Sequence, residues 1–139
     1  ARLDPHGQLD PQGRIIPETC LYCHTEKPDE KSATFKDVRL IGDLRVVCER
    51  CHSRTGVHPV GANHLRMPSI QIASNMKAME IKFGAIFPLD NEGKVTCITC
   101  HNPHEKGVIP VDKKGAKGAG ESSRQRLPKI MCKECHGMT

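Results

Sequence analysis

Hydrophobic residues occur along this chain in short, scattered groups, and few of them follow a regular period. The clearest periodic stretch runs from Asn75 to Phe83, where Met76 and Met79 lie three positions apart. That spacing predicts a short helix with both methionines on one face. No run approaches the roughly 18 consecutive apolar residues that a membrane-spanning helix requires, so we predict a chain without a membrane span.

Turn-forming residues predict two further segments. Residues 85–89 and 94–97 flank the sequence Asp90-Asn91-Glu92-Gly93, whose composition is typical of a hairpin turn. The stretch from Val111 to Arg126 is rich in Lys, Gly and Ser and predicts an exposed, flexible loop. Its lysines are a candidate docking patch for a partner.

Composition changes this picture, because the side chains that normally fill a protein core are scarce. The chain has no Trp, one Tyr and three Phe in 139 residues, together with 12 Gly and 10 Pro. Either the chain is partly disordered, or large apolar cofactors fill its interior. The net charge of +5 does not indicate nucleic-acid binding, because the basic residues are scattered among acids and lack interleaved aromatics.

The cysteines favour the second explanation, an interior filled by cofactors. All eight belong to Cys-x-x-Cys pairs, and each pair is followed at once by His, giving four motifs in chain order: Cys20, Cys23 and His24; Cys48, Cys51 and His52; Cys97, Cys100 and His101; Cys132, Cys135 and His136. This is the signature of covalent haem c attachment. Two thiols three positions apart reach one edge of the porphyrin, and the next residue supplies the proximal nitrogen to iron.

Two other uses of cysteine compete with haem. Four Cys-x-x-Cys pairs could build two zinc ribbons with four thiolates each, and a secreted chain could use its cysteines as a disulfide framework. Neither alternative accounts for a histidine after every pair. We therefore predict four covalent haem c groups, which form most of the core.

Four histidines remain outside the motifs: His6, His58, His64 and His104. Because one spare histidine is available for each of the four irons, we predict bis-His ligation of every haem. The competing ligand is methionine at one or more irons, and the chain offers Met67, Met76, Met79, Met131 and Met138. Met76 and Met79 are predicted to pack against haem instead.

Chain reach constrains the distal ligands. His104 follows His101 by three residues, and at about 3.5 Å per residue the chain cannot circle the porphyrin edge in that distance. His104 is therefore predicted to serve another haem. A Pro-His pair precedes both the first and the fourth motif, and by this analogy His6 belongs to the first haem and His104 to the fourth. Reach then favours His64 for the second haem and His58 for the third.

The sequence from Pro88 to His104, continued by residues 126–128 and 132–136, resembles the doubled Cys-x-x-Cys-His modules of bacterial and archaeal multihaem cytochromes. Residues 20–52 with the later His-Pro-Val-Gly resemble a second copy. The resemblance divides a single domain, residues 1–139, into two weak modules, about 1–64 and 85–139. It implies closely stacked bis-His haems used in long-range, often extracellular, electron transfer. The chain lacks the wider motif and the adjacent His pair of the small tetrahaem cytochromes of sulfate reducers.

The predicted fold is a small haem-packed cytochrome made mostly of irregular loops, with a few short helices and at most a short β-hairpin. The predicted function is electron transfer without enzymatic activity. The alternatives are an electron-donor subunit of a separate redox enzyme and a reductase with an open haem. Covalent haem predicts a periplasmic or extracellular location after removal of a signal peptide. Expected partners are redox proteins, extracellular acceptors, or further copies of the chain in a filament. In such a filament the N-terminal arm, the Pro- and Gly-containing stretch from Ala1 to Gly13, could place His6 on a neighbour's haem.

Overall fold

The computed structural model describes residues 4–29, 38–52, 64–117, 124–127 and 135–136. Within these ranges the chain forms short helices joined by irregular segments: α1 (Pro17–Cys20), α2 (Leu44–Glu49), α3 (Ile70–Phe83), α4 (Cys97–Cys100) and a 3-10 helix (Lys114–Ala116). Pairing of the extended type is limited, in the same ranges, to isolated bridges such as Leu9–Ile15. The prediction of a small, loop-rich chain with few short helices is confirmed.

The longest helix, α3, begins five residues earlier than predicted. The Ser69 side chain accepts a hydrogen bond from the Ile72 amide (3.2 Å) and so satisfies one free donor of the first turn. The helix ends at Gly84, whose φ of 62° is the left-handed conformation that glycine adopts without steric cost. The methionine spacing located the helix, but the serine cap sets its start.

The predicted turn after Pro88 is present, but its flanks do not pair as strands. The Asp90 amide donates to the Lys94 carbonyl (2.9 Å), and the Gly93 amide donates to the Asp90 carbonyl (3.0 Å). Beyond the turn, the Val95 amide donates to the Arg66 carbonyl (2.9 Å) instead of to the facing segment. The described residues therefore have the predicted turn without paired strands, which fits the prediction of at most a short β-hairpin, and a third segment takes the Val95 amide.

The main apolar cluster lies between α3 and the two C-terminal motifs. Its buried members are Met76, Ala85, Phe87 and Leu127, and Ile72, Met79, Phe83, Cys100 and Cys135 pack against them. The Asn75 side chain also donates to the Cys135 carbonyl (2.8 Å). Helix α3 thus supports the fourth motif, and its two methionines are packing residues in this cluster.

The lysine-rich stretch predicted as a flexible loop is partly ordered. Residues 114–116 form the 3-10 helix, and the buried Asn102 side chain donates to the Gly115 carbonyl (2.8 Å). The loop prediction is wrong at this point because a buried amide anchors the backbone; residues 118–123 lie outside the described ranges. No helix in the described part of the chain is long and apolar enough to cross a bilayer.

Candidate haem-binding site

Three of the four motifs have their first cysteine and their histidine described, and each forms one helical turn. The amide of the motif histidine donates to the carbonyl of the first cysteine: His24 to Cys20 (2.9 Å), His52 to Cys48 (3.0 Å) and His101 to Cys97 (3.0 Å). Positions i, i+3 and i+4 share one face of a helical turn. Both thiols and the imidazole of each motif therefore project from the same side.

Local sequence explains why these turns form. Pro17 occupies the first turn of α1, where its missing amide hydrogen costs nothing. The Asp43 carboxylate accepts from the Arg45 amide (3.0 Å) at the start of α2, and the Thr99 hydroxyl accepts from the Thr96 amide (3.0 Å) at the start of α4. In each of these three described motifs, a helix-starting residue before or within the motif thus orders the cysteine pair.

The spare histidines approach the motif histidines in pairs. The ring centres are 6.2 Å apart for His6 and His52, 6.3 Å for His24 and His104, and 6.4 Å for His64 and His136. Each of these pairs joins one motif histidine to one spare histidine. The interplanar angles are 36°, 3° and 89° respectively, so the common feature is the separation of the rings, not their relative rotation.

That separation fits two imidazoles on opposite sides of one metal ion. A metal–imidazole nitrogen bond is about 2.0 Å, and with ring bonds of about 1.35 Å the nitrogen lies about 1.15 Å from its ring centre. Two such ligands in line place their ring centres about 6.3 Å apart, and rotation about the common axis leaves this distance unchanged. The residues present therefore fit iron held between two histidines.

The His6 ring is held in one tautomer by a backbone carbonyl. Its Nδ1 atom lies 2.9 Å from the Pro103 carbonyl oxygen, so Nδ1 carries the proton and donates it. The lone pair of a neutral imidazole is then on Nε2. This arrangement fixes the tautomer and ring orientation that a metal requires.

His24 and His104 are kept neutral by their surroundings. Burial lowers the pKa of His104 to about 4, and the nearby charges of His24 and Arg126 act in the same direction. Burial also lowers the pKa of His24, with the Arg39 carbonyl partly opposing it. Because only the neutral imidazole has a lone pair to give, both side chains are suited to metal binding at neutral pH.

The pairing differs from the sequence prediction at three histidines. His6 lies beside His52 of the second motif instead of the first, His104 beside His24 of the first instead of the fourth, and His64 beside His136 of the fourth instead of the second. The two Pro-His segments contact each other through Pro103 instead of each folding onto the motif that follows it. The His104 ring lies beside His24 of another motif, as the reach argument expects, and its ligation of another haem stays a prediction.

The contact with His52 also places His6 within its own chain. Hydrogen bonds to residues 103–105 hold the arm against its own chain, and a role of His6 on a neighbouring protomer stays a prediction. His58 and Cys132 lie outside the described residues, and their assignment to the third and fourth haems stays a prediction.

The described cysteines form neither the disulfides nor the clusters of metal ligands that the two competing uses of cysteine require. None of the seven forms a disulfide, and no group of three or more His, Cys, Asp or Glu in the described ranges is arranged to hold a metal ion. A zinc ribbon needs four such ligands at one point. Two thiols of different motifs interact: a hydrogen bond from the Cys48 thiol lowers the pKa of Cys97.

Sequence reasoning did not identify several residues that support the site. Gln8 and Glu105 bond each other across the chain, and the buried Asn102 carboxamide accepts from the His104 amide (3.0 Å). Arg126 is also buried, donates to the Ile98 carbonyl (2.6 Å), and has its pKa lowered to about 10 by burial. The only signal in the sequence was position: Asn102 and Glu105 flank the Pro-His pair that ends at His104.

Comparison with known proteins gives one informative similarity. The chain is 31% identical, over a 107-residue alignment, to the dissimilatory sulfite reductase MccA of Wolinella succinogenes. The alignment takes in 64% of this chain but only 15% of that protein, so the chain corresponds to a small part of its length. No protein-family model matches the chain, and no solved structure matches it.

This similarity corrects one prediction. Sequence analysis predicted a chain without enzymatic activity, whereas the protein to which part of it is similar is a reductase. The prediction is wrong because haem density alone cannot separate a carrier from part of a redox enzyme: both use closely spaced haems, and only the surroundings of individual irons differ.

Proposed function

We propose that this chain transfers electrons through four covalently attached, bis-His haem c groups, in the service of a redox enzyme of the kind it resembles. The observation that carries the proposal is the set of three histidine pairs with ring centres 6.2–6.4 Å apart, each joining a motif histidine to a spare one. Bound haem supplies reversible one-electron chemistry at its iron.

The chain's own residues would attach, orient and insulate the haem groups. The cysteine pairs would form the thioether links, and the motif histidines would be the proximal ligands. His104, His6 and His64 would be the distal ligands at the first, second and fourth motifs, and His58 is proposed for the third. The pairs His24–His104 and His6–His52 are supported by burial and by the Pro103 carbonyl, respectively.

Proximity between motifs supports transfer from one haem to the next. Helices α2 and α4 contact each other, and the thiols of Cys48 and Cys97 are within hydrogen-bond distance. Cys23 and Cys51 also interact electrostatically. The attachment points of the first three motifs are thus grouped, which favours haems close enough to exchange electrons.

Covalent haem attachment supports a location outside the cytoplasm, in the periplasm or at the cell exterior, and a redox protein or extracellular acceptor as partner. End-to-end association of copies stays a prediction.

The proposal is tested first by mass. After acid–acetone extraction, the intact chain should exceed the mass of the polypeptide by four haems. An unmodified mass, or stoichiometric zinc, would refute it. Electron paramagnetic resonance and magnetic circular dichroism of the oxidised protein should then show low-spin iron at all sites.

A second candidate function is reduction of a small oxyanion at one haem, and the similarity to a sulfite reductase favours it. It requires an iron with an open position. Sulfite-dependent oxidation of the fully reduced chain, followed by haem absorbance, separates the candidates. Turnover by the isolated chain indicates catalysis, whereas oxidation only when a reductase is added indicates a donor.

A further inference from the structure

The N-terminal arm is tied to the segment that carries His104 by hydrogen bonds between residues 97 positions apart. The Glu105 amide donates to Gln8 Oε1 (2.7 Å), while the amides of Gln8 and Leu9 both donate to Glu105 Oε2 (2.9 and 3.0 Å). We call this reciprocal set of bonds the Gln8–Glu105 clamp. A carboxylate that accepts two amides makes stronger bonds than a neutral acceptor.

On one side the clamp supports His6. Gln8 Nε2 donates to the Pro103 carbonyl oxygen (3.1 Å), the same oxygen that accepts from His6 Nδ1. Gln8 is buried, with 9% of its surface exposed, so water does not readily replace it. The clamp therefore holds in place the acceptor that fixes the His6 ring.

On the other side the clamp supports His104. Pro103 precedes His104 and Glu105 follows it, and the Gln8 side chain forms a hydrogen bond with the backbone of each neighbour. Between them, the His104 amide is held by the Asn102 side chain. The backbone on either side of the imidazole is thus fixed by the arm that carries the other ligand.

We propose that the Gln8–Glu105 clamp positions His6 and His104 as one unit, so that the sixth coordination positions of the first and second haems open together. This inference rests on the proposed function, because it takes His104 and His6 to be distal ligands at these two motifs. Gln8 and Glu105 are positioning residues, since they act on iron only through the histidines. The His64–His136 pair has no part in the clamp and is expected to be unaffected.

Breaking either half of the clamp has a clear physical consequence. Glu105→Ala removes the acceptor of two amides, and Gln8→Ala removes both the donor to Pro103 and the acceptor of the Glu105 amide. Buried groups left unpaired favour release of the arm into water. Release of the arm moves His6 away from His52 and removes the hydrogen bonds between the arm and both neighbours of His104.

Carbon monoxide binding counts the open irons. The reduced, haem-loaded chain is titrated to saturation, and bound carbon monoxide per chain is measured from the haem absorbance. We expect none for the wild type, one for His6→Ala, and two for both Gln8→Ala and Glu105→Ala. Glu105→Gln keeps an acceptor oxygen and should bind none.

Gln12→Ala is the matched control, since Gln12 is an exposed glutamine on the same arm; it should bind none. If Gln8→Ala and Glu105→Ala bind one carbon monoxide or none while His6→Ala binds one, the clamp does not couple the two ligands, and the proposed ligation stands. If His6→Ala also binds none, the ligation itself is wrong, and the inference falls with it.

A measurement on the wild type covers the case in which the variants fail to take up haem. Amide hydrogen exchange of the haem-loaded chain should show protection at Gln8, Leu9 and Glu105, which donate within the clamp. The Gln12 amide, whose hydrogen bond to the Asp10 carboxylate is exposed to solvent, should exchange faster. Unprotected amides at the first three positions would overturn the inference without any substitution.

Discussion

Replacing Asn102 by alanine tests whether the ligand segment is held by this side chain. Asn102 is 1% exposed. Its carboxamide accepts from the His104 amide at 3.0 Å, donates to the Gly115 carbonyl at 2.8 Å, and makes a weaker contact with the Lys117 carbonyl at 3.4 Å. The substitution therefore leaves one backbone donor and one backbone acceptor without their partner.

Each group left unpaired inside a protein costs about 1–3 kcal/mol. The two short bonds therefore predict a loss of about 2–6 kcal/mol in the free energy of unfolding, with the 3.4 Å contact adding little. The assay is guanidinium unfolding of the haem-loaded protein, followed by circular dichroism and haem absorbance. Asn91→Ala, at an exposed position in the turn, is the matched control and should change stability by less than about 0.5 kcal/mol.

The same variant should show a partly high-spin signal, because the His104 backbone is no longer fixed. A change in stability no larger than that of Asn91→Ala would refute the reasoning. It would mean that water or the neighbouring backbone satisfies the two groups as well as the carboxamide does.

Three further predictions follow from buried groups. Arg126→Gln removes a buried positive charge that acts on His104 and Cys100. Because a nearby cation favours the less positive, reduced iron, the midpoint potential of one haem should fall in this variant. A charge interaction of about 1–2 kcal/mol corresponds to a fall of about 40–80 mV. Arg126→Lys should stay near the wild type in the same potentiometric titration, and equal potentials for all three proteins would contradict the prediction. Leu127→Ala, at a residue 2% exposed, should reduce stability by about 2–5 kcal/mol, whereas Val111→Ala, at a residue 82% exposed, should have little effect; similar losses for both would show that Leu127 is not a core residue. Chemical removal of haem should abolish the helical signal in far-ultraviolet circular dichroism, because the buried apolar side chains in the described ranges are few, and a haem-free chain that keeps this signal would show that the polypeptide has a sufficient core of its own.

Local features of this protein could be predicted from its sequence. The separation of His101 and His104 is fixed by three residues of chain, so covalent geometry alone excluded one iron for both. The turn at Asp90 and the helix around Met76 likewise depend on neighbouring residues. Each of these follows from physics that acts within one or two helical turns.

The pairing of ligands could not be predicted in this way. The segments that carry His6 and His104 are joined by hydrogen bonds between Gln8 and Glu105, two polar residues 97 positions apart, and no periodicity or motif in the sequence links these two residues. The repeated Pro-His segments suggested that each histidine serves the motif after it. That analogy failed because the segments bind each other, an outcome decided by side-chain hydrogen bonds between distant parts of the chain.

The short step from His101 to His104 has a mechanical consequence. His101 belongs to the third motif, while His104 lies beside His24 of the first. Under the proposed ligation, three covalent residue steps would join the ligands of two different haems. Such a tether cannot exceed about 11 Å between its Cα atoms, however the surrounding structure fluctuates. Non-covalent contacts in a protein can lengthen when its structure fluctuates, but the distance between these two residues is limited by covalent bond lengths. The electronic coupling between these two haems should therefore be the last to weaken when the protein is heated or partly unfolded.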